Sequence, residues 1–376
     1  MRSFLITFCL SAAALTSPLV AQITMTPLVG FGGADGWLAP GENVFLGTAN
    51  NERGFAYSST TDHLYLVSRT NGTNVRIIDS VSGADLGALS TSGIAGGTFV
   101  LNKIAVGADG VIYGANLRTG TTGATFKLYR WDSETSEPVV IFDNIALGNG
   151  ARIGDDLDAI GSGAATRLVA GYQAGGTPSP AGINGYAVID PTASALTPTT
   201  PSINNVMFST TPPNAGDFHQ GITFLRAGLE GGSVLGTRGG AVSAARLTDY
   251  SGSTGTLLST LTLQSSNERI LDFTTVSGTD LLATVDTATN AVRLYDMTNP
   301  SAPEFLTMGN NTVGTVNTNA NFAGDARFGD VVGNSVTLYA MNTNNGIQGF
   351  LITIPEPGTV SFLALAAIGL AFRRRR

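Results

Sequence analysis

Between residues 23 and 354 the apolar positions come in short runs of four to seven, separated by Gly, Asn, Asp, Ser and Thr. Nothing in this span carries the i, i+3, i+4, i+7 spacing of a long amphipathic helix. Short runs punctuated by turn residues predict an all-β body. Many runs are paired, a first strand and a turn leading to a second strand that often ends in Asp. Thus 63–68 precedes 74–79, 110–115 precedes 127–132, and 166–171 precedes 185–190. In the second half 233–237 precedes 245–249, 280–285 precedes 291–296, and 336–340 precedes 348–352.

Taking Leu66, Gly114, Val169, Leu235, Leu282 and Tyr339 as equivalent gives steps of 48, 55, 66, 47 and 57 residues. Several units have an earlier run (54–58, 103–106, 221–225, 270–275) and some a later one (138–142, 257–263). Four strands per unit at a period near 50 is the pattern of a β-propeller blade, and six blades are expected. A lone four-stranded sheet has two apolar faces and open edges; stacking sheets in a ring buries both. The run 43–47 is expected to pair with the last unit and close the ring. The alternatives are a seventh, degenerate blade from 23–50 and, more distantly, a pair of β-sandwiches.

Composition narrows the function classes. Charged residues are 12% of the chain and hydrophobic ones 43%, which excludes a disordered polyelectrolyte. The 48 glycines have no period of three, so collagen is excluded. Without Arg2, Arg373–Arg376 and Glu356 the chain keeps 15 basic and 26 acidic residues, a net charge of −11. That surface repels phosphate backbones, so no nucleic-acid partner is expected. The only cysteine, Cys9, lies in the apolar N-terminal stretch; once that stretch is removed neither a disulfide nor a cysteine metal site can form.

The two ends carry the sharpest signals. Residues 1–22 combine Arg2, an apolar core from Phe4 to Leu15, and a break at Ser17-Pro18 before Ala21. This is the pattern of a secretory signal helix cleaved after Ala21, although Leu19 is larger than the small residue preferred at that position. At the other end, Pro355-Glu356-Pro357 is followed by the uncharged stretch 359–372 and by Arg373, Arg374, Arg375 and Arg376. Fourteen residues fall short of a full span, but Gly358 and snorkelling arginines extend them towards a transmembrane helix, with the arginines as a cytoplasmic anchor. The domains expected are therefore 1–22, 23–354 and 355–376.

This tripartite end resembles the PEP-CTERM sorting signal of Gram-negative bacteria. The resemblance implies a transient stay in the inner membrane, recognition by an exosortase-type protease near Pro355-Glu356-Pro357, and delivery to the cell surface or an extracellular matrix. A plain tail anchor is the alternative. Within the body, Leu281–Asp296 and the 65–79 unit resemble YVTN-type propeller repeats of bacterial surface proteins, which implies a fold but no activity.

Candidate chemistry is sparse. Asp155, Asp156 and Asp158, near Arg152, form the tightest carboxylate group and could supply oxygens to Ca²⁺, or simply mark a solvated strand entry. Asp325 and Asp330 flank Arg327 in the last unit in a similar way. His219 precedes an innermost strand and could face a central channel, or be an ordinary structural histidine; His63 reads as a strand-edge residue. There is no G-x-S-x-G, H-E-x-x-H or Walker loop. The expectation is a non-catalytic surface or matrix protein that binds polysaccharide or another surface component. The alternative is an extracytoplasmic propeller enzyme, a glycan lyase or hydrolase working through channel Asp and Arg residues.

Overall fold

The computed structural model describes residues 22–33, 35–119, 124–144, 151–174, 184–191, 203–225, 233–238 and 243–355. The expected signal helix and the transmembrane helix at 359–372 lie outside the described residues. Among those described, no helix is long and apolar enough to cross a membrane.

Residues Thr24–Ile354 form one unit of short strands. Strands β1 (Thr24–Pro27) and β2 (Trp37–Leu38) come first. Six antiparallel groups follow. The first is β3 (Glu52–Ser58), β4 (His63–Ser68), β5 (Asn74–Asp79) and β6 (Asp85–Ala88). The second is β7 (Phe99–Val106), β8 (Ile112–Thr119), β9 (Phe126–Trp131) and β10 (Val139–Asn144). After β11 (Ala151–Ile153) the third contains β12 (Asp158–Ile160), β13 (Arg167–Ala174), β14 (Gly185–Ile189) and β15 (Ile203–Met207). The fourth is β16 (Gly221–Phe224), β17 (Val234–Thr237), β18 (Ala244–Ser251) and β19 (Thr254–Thr262). The fifth is β20 (Glu268–Val276), β21 (Thr279–Asp286), β22 (Val292–Asp296) and β23 (Glu304–Gly309). The sixth has β24 (Gly324–Val332), β25 (Ser335–Asn342) and β26 (Ile347–Thr353), and β1 completes it by pairing with β26.

Each group pairs in sequence order, first strand to second to third to fourth. The equivalent residues chosen from the sequence all fall in second strands: Leu66 in β4, Gly114 in β8, Val169 in β13, Leu235 in β17, Leu282 in β21 and Tyr339 in β25. Two links join neighbouring groups edge to edge. β11 pairs with both β8 and β13, and β15 meets β19 through one parallel bridge.

Sheets bury both faces because side chains alternate along a strand. In β4, Tyr65 and Val67 join the core shared with the second group, against Leu101, Ile104 and Trp131. Leu64 and Leu66 join the opposite core, against Tyr339, Met341 and Ile347 of the sixth group. Further cores lie between the second and third groups, the third and fourth, and the fourth and fifth. First strands meet as neighbours in order: β3 with β7, β7 with β12, β12 with β16, β16 with β20, β20 with β24, and β24 with β3.

Closure of the sixth group differs from expectation. The run 43–47 is turn and irregular chain, with Leu46 buried in the core between the first and sixth groups. The partner of β26 is Thr24–Pro27, in register from Thr24 opposite Thr353 to Pro27 opposite Phe350. Trp37 and Leu38 cover the start of the same strand, opposite Gln348 and Ile347. Asn43 explains the shift: its side-chain oxygen accepts the Phe45 amide, so the segment satisfies itself as an Asx turn and cannot extend into a ladder. Residues 23–50 thus add to the sixth sheet and build no seventh one.

Candidate functional site

The first strand of each group has a hydrogen-bonded partner in its own sheet on one side only. Its other edge carries backbone groups that need partners once buried. Carboxylates from neighbouring groups supply them. Asp156 accepts the Ile222 amide at 2.8 Å, and Asp158 accepts the Phe224 amide and the Thr223 hydroxyl, both at 3.0 Å. Asp272 accepts the Phe328 amide at 2.7 Å. In the reverse sense, Asn102 donates to the Gly154 carbonyl at 2.6 Å and Arg327 to the Leu157 carbonyl at 3.0 Å.

Two cations sit among these carboxylates. Lys103 Nζ lies 3.2 Å from Asp156 and 3.3 Å from Asp325, and also donates to the Gly324 carbonyl. Arg327 lies 3.0 Å from Asp325. All four residues are buried, with exposures of 1 to 5%. Burial pushes the Asp156 and Asp325 carboxyls up, and Lys103 and Arg327 pull against it. Burial also opposes the Arg327 charge, but Asp325, Asp158, Asp272 and Asp156 overcome it and raise its pKa. Gly54 of β3 makes room for the pair: a Cβ there would stand 2.7 Å from Lys103 Cδ and 3.0 Å from an Asp325 oxygen.

A cavity of about 270 Å³ lies towards the ends of the first strands, lined by Tyr57, Asp158, Asp272, Arg327 and Asp330 among others. Tyr57 donates to Asp62 at 3.0 Å, and burial and nearby carboxylates raise its pKa. A second cavity, of about 370 Å³, lies towards the strand starts. Its lining is basic and amide-rich: Arg152, Gln173, His219, Gln220, Arg238, Arg269 and Phe322.

The residues singled out from the sequence divide between these places. Asp155 turns to Arg152, which grips it through two bonds of 2.5 and 2.6 Å. Asp156 and Asp158 face β16 and the buried cations, so the three carboxylates have different partners. Among the described residues, no three His, Cys, Asp or Glu side chains are grouped to hold a metal ion. His219 is 4% exposed and lines the basic cavity; its Nδ1 bonds the Gly216 carbonyl at 2.8 Å, which makes Nδ1 the donor and Nε2 the acceptor of the neutral ring. Burial lowers its pKa. His63 bonds Glu134 at 2.6 Å, away from both cavities. Asp325 and Arg327 join the buried network, and Asp330 the first cavity.

Sequence reading did not single out Lys103, Thr223, Asp272, Arg238, Arg269 or Phe322. The available signal was a polar residue interrupting an apolar first strand, as Lys103 does in Leu101-Asn102-Lys103-Ile104-Ala105 and Asp272 in Ile270-Leu271-Asp272-Phe273. Of the sorting motif, Pro355 is described and half-buried, whereas Glu356, Pro357 and Arg373–Arg376 lie outside the described residues.

Comparison with known proteins adds two assignments. Residues 353–376 match the PEP-CTERM protein-sorting motif, the mark of an exosortase-sorted surface protein. No curated protein matches the chain. Among solved structures it is similar to the crystal structure of a DUF4623 family protein from Bacteroides eggerthii, at 17% identity and a TM-score of 0.60, over 82% of this chain and 72% of that one. That likeness concerns the fold alone. Residues 54–274, from the first group into the fifth, match the domain of unknown function DUF4623, and the chain belongs to that family.

Proposed function

We propose that the chain is a non-catalytic surface or extracellular-matrix protein of a Gram-negative bacterium whose body is a six-bladed β-propeller that binds polysaccharide. The observation that carries this reading is the sorting motif at 353–376. An exosortase-type protease would act near Pro355-Glu356-Pro357, after the inner membrane has held the tail, and release the body outward. The propeller reading is supported by six antiparallel groups whose first strands neighbour one another in order, the sixth meeting the first. Binding is favoured over catalysis because the candidate groups do not converge: Arg152 and His219 line one cavity, Asp158, Arg327 and Asp330 another, and Asp156 and Asp325 are held in the buried network. The carboxylates of that network already accept backbone amides or ion pairs, which leaves them poorly placed to trade protons with a substrate.

The test is fractionation of native cells with and without the sorting protease, with mass analysis of both termini. The expected result is a surface or matrix protein trimmed near Pro355, and an untrimmed, inner-membrane protein when the protease is missing. An intact tail in the inner membrane of normal cells would overturn it. A lyase or hydrolase would instead release new reducing ends or unsaturated products from acidic glycans; their appearance would replace the binding role with an enzymatic one.

A further inference from the structure

The chain is acidic, with a formal charge of −7, yet one cavity gathers three arginines, two of which make no direct ion pair among the described residues. Of its three lining arginines only Arg152 is neutralised, by Asp155. Arg269 is 7% exposed, its Nε has no hydrogen-bond partner, and its bonds go to the neutral side chains of Gln220 (3.1 Å) and Asn267 (3.5 Å). Arg238 bonds only a carbonyl, that of Ala215, at 3.3 Å. Nearby, Arg53 is 2% exposed; Arg69 repels it and Asp155 attracts it, it bonds Asn102, and one of its terminal nitrogens has no hydrogen-bond partner. No carboxylate among the described residues lies within ion-pair distance of Arg53, Arg238 or Arg269. Burial lowers the Arg53 pKa to about 10 and lowers that of Arg269 as well.

Burying a guanidinium with an unmet donor is unfavourable, so such a cluster persists where an anion completes it. The rest of the lining tells which kind of anion. Gln173 and Gln220 offer amides, and the neutral His219 ring offers an acceptor nitrogen, groups that suit hydroxyls. Phe322 offers a ring 39% exposed, with Arg269 stacked 3.5 Å from its centroid. Phe322 also holds φ = 55°, a left-handed conformation costly for an aromatic residue and often kept at binding sites. A hydroxyl-bearing, ring-shaped ligand with a carboxylate satisfies all of these at once. We propose that this cavity binds the uronate units of an acidic polysaccharide, the carboxylate seated on Arg238 and Arg269 and the sugar hydroxyls on Gln173, Gln220 and His219. The volume, about 370 Å³, is that of a small-ligand site. This deepens the polysaccharide reading above and rests on it.

The experiment is titration calorimetry of the full-length protein in mild detergent at low salt, with tetragalacturonate as the probe. Cellotetraose serves as the neutral tetrasaccharide and sodium sulfate as the simple anion. Tetragalacturonate is expected to bind, to weaken as salt rises, and to outbind both controls. Arg238→Gln and Arg269→Gln should each weaken it about tenfold or more, the loss of one charge-assisted hydrogen bond. Arg238 is half-buried and its replacement leaves the fold intact, to be checked by circular dichroism; Arg269→Lys should restore part of the affinity. Absence of tetragalacturonate binding, equal affinity for cellotetraose or sulfate, or unchanged affinity in both glutamine variants would each overturn the assignment. Cell fractionation reads sorting independently, so loss of surface delivery with intact uronate binding would strike the sorting reading alone.

Discussion

Lys103 balances two buried carboxylates at once. It is 1% exposed and stands between Asp156 and Asp325, which belong to the third and sixth groups. Lys103→Met would leave two buried carboxylates with one fewer cation, and breaking such a pair costs about 3–5 kcal/mol. Urea denaturation followed by circular dichroism should show a loss of that size, and a loss under about 1 kcal/mol would contradict the role. Gly54→Ala should cost about 1–3 kcal/mol, because its Cβ would press on the same lysine. His219 gives a pH signature. Its folded pKa lies below the unfolded value of about 6.5, so the folded state binds fewer protons there than the unfolded one. Its contribution is complete above pH 6.5 and is lost as the pH falls, so the stability of the protein relative to His219→Gln should shrink between pH 7 and pH 5. The sequence showed Asp156, Asp158, Asp325 and Arg327 as charges at strand entries, but it suggested calcium or a channel mouth. Asp156 and Asp325 share a lysine, Lys103, that lies 53 residues from one and 222 from the other. No local pattern encodes that meeting; it arises only when first strands of the second, third and sixth groups come together.

At the scale of elements, the short apolar runs between turn residues were legible and the pairing that completes the sixth group was not. Strands such as His63–Ser68 and Asn74–Asp79 stand at the boundaries read from the chain, since a short apolar run bounded by turn residues leaves little choice of where a strand begins and ends. The four residues of β1, Thr-Met-Thr-Pro, are too few and too exposed to stand out as an apolar run, and their pairing is a long-range event with β26. Their worth is in covering an edge. Without β1, the Thr353–Phe350 side of β26 would present a bare strand to solvent, an invitation to pair with other chains. Deletion of residues 24–27 should therefore lower the melting temperature by several degrees and raise concentration-dependent aggregation in light scattering. A variant that lacks them yet melts and scatters as the full chain does would show that β2 and the turns after it close the sixth group unaided.

For the molecule as a whole, the order of contacts among first strands has a consequence for unfolding. In an open row of sheets, terminal units can fray while central ones persist, as in linear repeat proteins. In the proposed six-bladed ring every blade has two packed neighbours and no unit is terminal. The buried carboxylates strengthen this, since Asp156, Asp158 and Asp272 each hold a backbone amide of a neighbouring group. The chain has two tryptophans, placed well for the test. Trp131 is buried in the second group, where its indole donates to the Ser90 carbonyl at 2.8 Å. Trp37 lies beside β26 in the sixth, its indole bonding the Asn345 carbonyl at 2.8 Å. Trp37→Phe and Trp131→Phe leave one reporter each. In urea, if the proposed ring is closed, the fluorescence of each variant changes together with its own far-ultraviolet circular dichroism, because a closed set of sheets loses its packing in one cooperative step. If the Trp37 signal melted clearly before the circular dichroism of the same variant, the sixth group would be detaching by itself, and the ring would have to be redrawn as a row with a free end.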